Sequence, residues 1–171
     1  MILLLMGVSG SGKTTVGRLL AENLAWKFVD ADDYHPPANK EKMHRDIPLT
    51  DADRAPWLAT LRQLIDQWHS SGENVVLACS ALKQSYRDQL GFGHNRPPEL
   101  ILAYLKGSIE TIRQRIAHRR EHFMNPDLLQ SQFDALEEPR DAILVDVGPP
   151  SEEIADELAS QLKNTLSVQR R

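Results

Sequence analysis

The sequence predicts an α/β fold of three layers: a five-stranded parallel sheet with helices on both faces, in one domain spanning residues 1–171. Three observations predict it. Short, continuous apolar runs alternate with apolar stripes at helical spacing. The runs are apolar along their whole length, as expected of strands buried on both faces. The first run leads straight into a glycine-rich loop and then a helix. In open parallel sheets ligands bind beyond the carboxyl ends of the strands. The residues that follow each run are therefore where function is sought.

The first strand is Ile2-Leu3-Leu4-Leu5-Met6. Gly7-Val8-Ser9-Gly10-Ser11-Gly12-Lys13-Thr14 follows and fits G-x-x-x-x-G-K-[ST]; Val16, Leu19, Leu20 and Leu24 then recur at helical spacing. Strand, loop and helix in that order are the context this motif requires, and a chance glycine turn would lack it. The glycines let successive backbone N–H groups converge on one anion, and the helix adds its positive end. Gly7 to Thr14, with Thr15 behind them, are the expected nucleotide-binding set for ATP. Lys13 is expected to reach the β- and γ-phosphates and to act in catalysis, and the Thr14 hydroxyl to ligate Mg²⁺.

Lys27-Phe28-Val29-Asp30 reads as the second strand, followed by Asp32, Asp33, Tyr34, His35 and Pro36. Phosphoryl transfer needs Mg²⁺, which prefers oxygen ligands, and a group that orients the attacking hydroxyl. Asp30 and Asp32 offer one carboxylate for each task; the competing account is an aspartate-rich turn or helix cap. His35 either contacts substrate or caps the turn. Trp57, Leu58, Leu61, Leu64, Ile65 and Trp68 form one helical stripe, so residues about 35–70 read as a helical segment on the acceptor side. Asn74–Cys79 is the third strand, leading to Ser80-Ala81-Leu82-Lys83, then Tyr86 and Arg87. Leu100–Leu105 is the fourth, and the helix with Ile109, Ile112 and Ile116 starts behind Ser108 as N-cap. Residues about 119–132 show little apolar periodicity, with a polar turn around Asn125-Pro126, and are read as a lid. Arg115 and Arg119 are candidates to clamp the transferring phosphate; the competing account is charge matched to a helix C-terminus. Ala142–Asp146 is the fifth strand, and the last helix begins at Ser151 with Ile154, Leu158 and Leu162 inward.

A formal net charge of −4 argues against nucleic acid as the partner. No apolar run is long enough for a membrane span. The single cysteine, Cys79, excludes an internal disulfide, fits a cytoplasmic location and reads as a core residue.

The chain resembles the small P-loop gluconate kinases along nearly its whole length. The resemblance is carried by Gly7–Thr14, by Asp30-x-Asp32-x-x-His35-Pro36, and by Asp51-x-Asp53-Arg54-x-Pro56-Trp57-Leu58. It continues through Cys79-Ser80-Ala81-Leu82-Lys83-x-x-Tyr86-Arg87-Asp88, Arg119 with His122-Phe123, and Ser131-Gln132-Phe133-x-x-Leu136-Glu137-x-Pro139. It implies a nucleoside-monophosphate-kinase-like fold with sheet order 2-3-1-4-5, phosphorylation of D-gluconate at its 6-hydroxyl by ATP, and a homodimer. Ala31 and Asp46 stand where family members commonly have glycine. Gluconate is an anionic polyol whose carboxylate wants a guanidinium or ammonium. Arg54 and Lys83 are the candidates for that carboxylate, and Arg87, His35 and His122 complete the expected substrate set with Asp32. Similarity to shikimate kinases, with their own D-x-D after the second strand, points Asp30 toward Mg²⁺ and Asp32 toward substrate. Adenine is expected against the loop after Asp146, at Pro149. Two alternatives stay open: a kinase of the same fold with another small acceptor, and a nucleotide-switch ATPase acting on a protein.

Overall fold

The computed structural model describes residues 1–118 and 126–169. The strands are β1 (Ile2–Met6), β2 (Lys27–Asp30), β3 (Val75–Ala78), β4 (Leu100–Lys106) and β5 (Ile143–Asp146). They form one parallel sheet in the order β2-β3-β1-β4-β5, as expected. The helices are α1 (Lys13–Leu24), α2 (Pro37–His44), α3 (Asp51–Ser71), α4 (Gln84–Gln89), α5 (Ile109–His118), α6 (Pro126–Ala135) and α7 (Ser151–Gln169). A 3₁₀ turn at Ala31–Tyr34 joins β2 to the segment before α2.

β1 is the centre of the molecule, and its pleat divides the core in two. Ile2, Leu4 and Met6 face one side, packed with Trp57, Leu58, Leu61, Ile65 and Trp68 of α3. Leu3 and Leu5 face the other, packed with Val16 and Leu20 of α1 and Ile154, Leu158 and Leu162 of α7. All five β1 side chains are fully buried, each contributing about 1.5–3 kcal/mol. A polar residue anywhere in β1 would thus meet a dry layer on either face.

The strand register sets the site. Leu5 pairs with Ala78, and Ala78 pairs with Asp30. The carboxyl ends of β1, β3 and β2 therefore lie level, so the phosphate loop, the 80–83 loop and the 30–35 turn emerge side by side. Local chemistry finishes the arrangement. Thr50 and Asp53 form a reciprocal capping box at the start of α3, with Thr50 Oγ1 accepting from Asp53 N at 3.1 Å and Asp53 Oδ2 from Thr50 N at 2.9 Å. Lys42 clamps the same carboxylate at 2.8 Å, holding its pKa down to about 2. Ser108 caps α5 as expected, accepting from Thr111 N at 3.1 Å.

Three details of the structure go beyond the sequence reading. The acceptor-side segment contains a separate helix, α2, which carries no apolar stripe and so left no periodic signal. A short α4 follows Lys83. The segment read as a lid, 119–132, is helical from Pro126 onward, and residues 119–125 lie outside the described residues. Leu129 of α6 is 2% exposed in the core, and proline at the first helical position starts a helix rather than a turn.

Candidate active site

The phosphate loop is built mainly from backbone. Gly10 and Gly12 adopt φ of 81° and 99°, the left-handed region that glycine enters without steric strain. A Cβ on Gly10 would also lie 2.7 Å from Ile116 of α5, so α5 packs directly on the loop. Lys13 folds over it, its Nζ donating to Val8 O at 2.9 Å. Ser11 Oγ is fully buried within the loop and has no hydrogen-bond partner. Thr15 is exposed at the start of α1.

Thr14 Oγ1 donates to Asp30 Oδ2 at 2.9 Å. A hydroxyl and a carboxylate so placed at the helix start are the hard oxygen donors that Mg²⁺ takes alongside water and phosphate. With the loop amides and the unpartnered Ser11 hydroxyl, the residues present fit a magnesium-bound nucleoside triphosphate. Asp30 also caps the 3₁₀ turn, its Oδ1 accepting from Asp32 N at 3.1 Å. The turn-cap account of this aspartate is thus observed, and the same side chain also offers an oxygen beside Thr14.

Asp32 stands beside it with a side chain 63% exposed, open to an incoming hydroxyl. Desolvation by its surroundings raises its carboxyl pKa; Lys13 lowers it, and Asp30 and Asp33 add to the rise. His35 lies behind Asp32, its Nε2 3.8 Å from Asp32 Oδ1. The imidazole is 7% exposed, stacks on Trp57 at 4.2 Å between centroids, and meets Asn39 Nδ2 at 3.3 Å through Nδ1. Burial, then the charges of Arg54 and Lys40, push its pKa down to about 4, so the ring is neutral near pH 7. His35 ends the 3₁₀ turn, its N–H donating to Asp32 O at 3.3 Å, and its buried ring supports Asp32 from behind.

The acceptor side gathers Asp51 and Arg54 of α3 with Lys83 and Tyr86 after β3. Lys83 Nζ donates to both Asp51 oxygens, at 2.9 and 3.0 Å, and the Tyr86 hydroxyl donates to the same carboxylate. Arg54 Nη1 reaches the Tyr86 hydroxyl at 3.5 Å and donates to Leu49 O, with its guanidinium over the Tyr86 ring. Hydrogen bonds from Tyr86 and Lys83 hold the Asp51 pKa low, and Asp51 in turn raises that of Lys83. Asp51 and Tyr86 are functional candidates that sequence reasoning left without a role. Both stood inside the quoted motifs, but their contact spans 35 residues of chain.

Arg87 is placed otherwise than expected. It is 1% exposed, and its guanidinium donates to Ala81 O, Leu82 O, Gln84 Oε1 and Glu137 O at 2.8–3.0 Å. It braces the 80–83 loop, where Ala81 is held at φ 43°, and so positions Lys83 rather than facing the acceptor. Arg115 is likewise turned to the backbone, donating to Val147 O, to Pro149 O at 3.0 Å and to Ser11 O at 3.4 Å. It ties the phosphate loop to the loop after β5, where Pro149 lies. Arg119 and His122 lie outside the described residues. Cys79 is buried, which pushes its thiol up to about 12 and leaves it a core residue. Concavities around Arg62, His69, His94 and Arg96 open beside Leu100, at the amino end of β4, away from this edge.

A family model described as an AAA domain matches residues 2–143. A probable gluconokinase of Rattus norvegicus is 47% identical, over 95% of this chain and 97% of its own. One of Mus musculus is 50% identical over 81% of this chain and 83% of its own. The crystal structure of a gluconokinase from Sinorhizobium meliloti 1021 is 42% identical, covers 99% of this chain and 97% of its own, and superposes with a TM-score of 0.84. On these grounds the chain belongs to the gluconokinase family of P-loop kinases.

Proposed function

We propose that this chain transfers the terminal phosphoryl group of ATP to the 6-hydroxyl of D-gluconate, giving 6-phospho-D-gluconate and ADP. Family membership supports the reaction class. One observation carries the choice of acceptor: Lys83 and Tyr86 already hold a carboxylate, that of Asp51, with the Arg54 guanidinium against Tyr86 beside them. In this reading the acceptor's carboxylate lies at this cluster and its hydroxyl at Asp32. Three donors around one anion also discriminate against neutral sugars and polyols.

In this proposal Asp32 orients the 6-hydroxyl and takes its proton, with neutral His35 fixed behind it. Lys13 stabilises charge on the phosphoryl oxygens during transfer, and Thr14 with Asp30 holds Mg²⁺. When bound there, Mg²⁺ would offset the charge of the transferring phosphates. Arg54 and Lys83 bind the acceptor carboxylate, and Arg87 fixes the loop that carries Lys83. Pro149 lines the adenine side, held by Arg115. Phosphate clamping is assigned to Arg119 and a substrate contact to His122, as the family resemblance implies. A homodimer in the cytoplasm completes the proposal; the buried single cysteine suits a reducing compartment.

The test is ADP release at fixed ATP and Mg²⁺, with and without gluconate, together with identification of the product. Gluconate should stimulate release strongly and 6-phosphogluconate should accumulate. Stimulation by shikimate instead would favour the other small-acceptor reading. A basal rate unchanged by any small acceptor would favour the protein-directed ATPase.

A further inference from the structure

The backbone N–H of Ser9, in the phosphate loop, donates to Gln132 Oε1 at 2.7 Å, across 123 residues of chain. Gln132 is carried by α6, which is fixed from beneath. Leu129 is 2% exposed, and Phe133 and Leu136 pack on the core layer that contains Leu3, Leu5 and Val8. Just beyond α6, Glu137 N donates to Leu82 O at 2.9 Å, and the Glu137 carboxylate accepts from Gln84 N at 2.6 Å. The amide oxygen is therefore delivered to Ser9 from a rigid support.

The chemistry of the pair is unequal. The loop amides are oriented for anionic oxygens, and a neutral amide oxygen is the weaker acceptor of the two. A second observation points to a ligand in the same loop: Ser11 Oγ is fully buried and makes no hydrogen bond. We propose that Gln132 is a positioning residue of the phosphoryl-transfer site, whose amide oxygen holds the Ser9 N–H in place of a phosphate oxygen and is displaced when a nucleoside triphosphate binds. Gln132 sets how strongly the polyphosphate must compete for the Ser9 N–H. The inference rests on nucleotide binding by the loop and is independent of which acceptor is phosphorylated.

Equilibrium binding of ATP and of adenosine to the full chain tests it, in wild type and in Gln132→Ala, Gln132→Leu and Gln132→Glu. Wild-type preference for ATP over adenosine tests the nucleotide premise separately. Removal of the competing acceptor in Gln132→Ala should tighten ATP roughly 3- to 10-fold, the worth of one neutral hydrogen bond. Gln132→Leu, which keeps the bulk against the core, should do the same and stands in if the alanine variant fails to fold. Gln132→Glu adds a stronger, charged acceptor that also repels the polyphosphate, and should weaken ATP about 10-fold or more. Adenosine, which has no phosphate to compete, should bind all four proteins within about twofold. ATP binding that is weaker or unchanged in both the alanine and leucine variants would overturn the proposal. So would a shift of the same size for adenosine.

Discussion

The phosphate loop and the acceptor side meet at one sheet edge but are built from different materials. The loop is eight contiguous residues that work through backbone amides, with left-handed glycines and the start of α1 fixing their directions. The acceptor side is a set of side chains from separated segments: Asp32 after β2, Asp51 and Arg54 on α3, Lys83 and Tyr86 after β3. Lys83 and Tyr86 are held there by a carboxylate of the chain itself, that of Asp51, and Arg54 by the Tyr86 hydroxyl. The difference separates two jobs. Amide dipoles of fixed direction suit a phosphate common to many kinases. Exchangeable ion pairs at a rim discriminate among acceptors, because a substrate must replace what it displaces. Changes in the loop should therefore abolish transfer for every acceptor, and changes in the rim should alter which acceptor is used.

Lys13→Ala is expected to have the largest effect, a loss of about 10²-fold or more in kcat for every acceptor with the fold intact. Near-normal kcat in a folded variant would remove Lys13 from the chemistry. The aspartates should separate next. Asp32→Asn should depress kcat with little change in ATP binding, whereas Asp30→Asn should raise the Mg²⁺ concentration needed for half-maximal rate. Mg²⁺ titrations of the Asp30 variant that match wild type would contradict its metal role.

Burial of neutral His35 makes a smaller prediction, on stability. Its folded pKa of about 4 lies below the unfolded value of about 6.5, so the unfolded chain binds the extra proton first. The stability it allows is fully present above about pH 6.5 and is lost as pH falls toward 4. Between pH 7 and pH 5 the loss should be about 2 kcal/mol. His35→Phe keeps an aromatic ring against Trp57 and should flatten that slope in urea denaturation. Equal slopes in the two proteins would mean the ring is not held neutral. The smallest effect concerns Asp46, which holds φ 54° where family members commonly have glycine. The loop thus keeps a glycine-type conformation with a residue that tolerates it at some strain. Asp46→Gly should stabilise by about 0.5 kcal/mol, a shift of roughly 1–2 °C in Tm, since relieved strain is partly offset by unfolded-state entropy. Destabilisation would show that the Asp46 side chain contributes more than its backbone strain.

The same contrast explains what the sequence revealed. The phosphate loop was legible because its function is contiguous: motif, preceding strand and following helix sit within residues 2–24. The five strands were legible because burial on both faces writes itself as unbroken apolar runs. α2 was not, because Met43 is the lone large apolar residue in Pro37–His44 and helical periodicity had nothing to act on. α6 left a signal that went unused: Pro126 at its start, Asp127 in the first turn, and Leu129 with Phe133 four residues apart. The side-chain geometry was beyond reach for a different reason. Asp51 with Lys83 and Tyr86, Ser9 with Gln132, and Arg87 with Glu137 are contacts over 32 to 123 residues that only the folded sheet brings together. Residue type marked Arg87 and Arg115 as anion binders, and tertiary structure turned both toward backbone carbonyls.

The central claim is that the acceptor is chosen by its carboxylate at the Arg54–Lys83–Tyr86 cluster. The most direct measurement is the ratio of kcat/KM for gluconate to that for sorbitol, a neutral open-chain polyol, in wild type and in Lys83→Ala. An unpaired charge left in the site costs about 2–5 kcal/mol, so wild type should prefer gluconate by roughly 30-fold to several thousand-fold. Lys83→Ala should lose gluconate activity, keep its ATP affinity and narrow that ratio. A wild-type enzyme that phosphorylates sorbitol as well as gluconate, or a Lys83→Ala variant whose ratio is unchanged, would contradict the account.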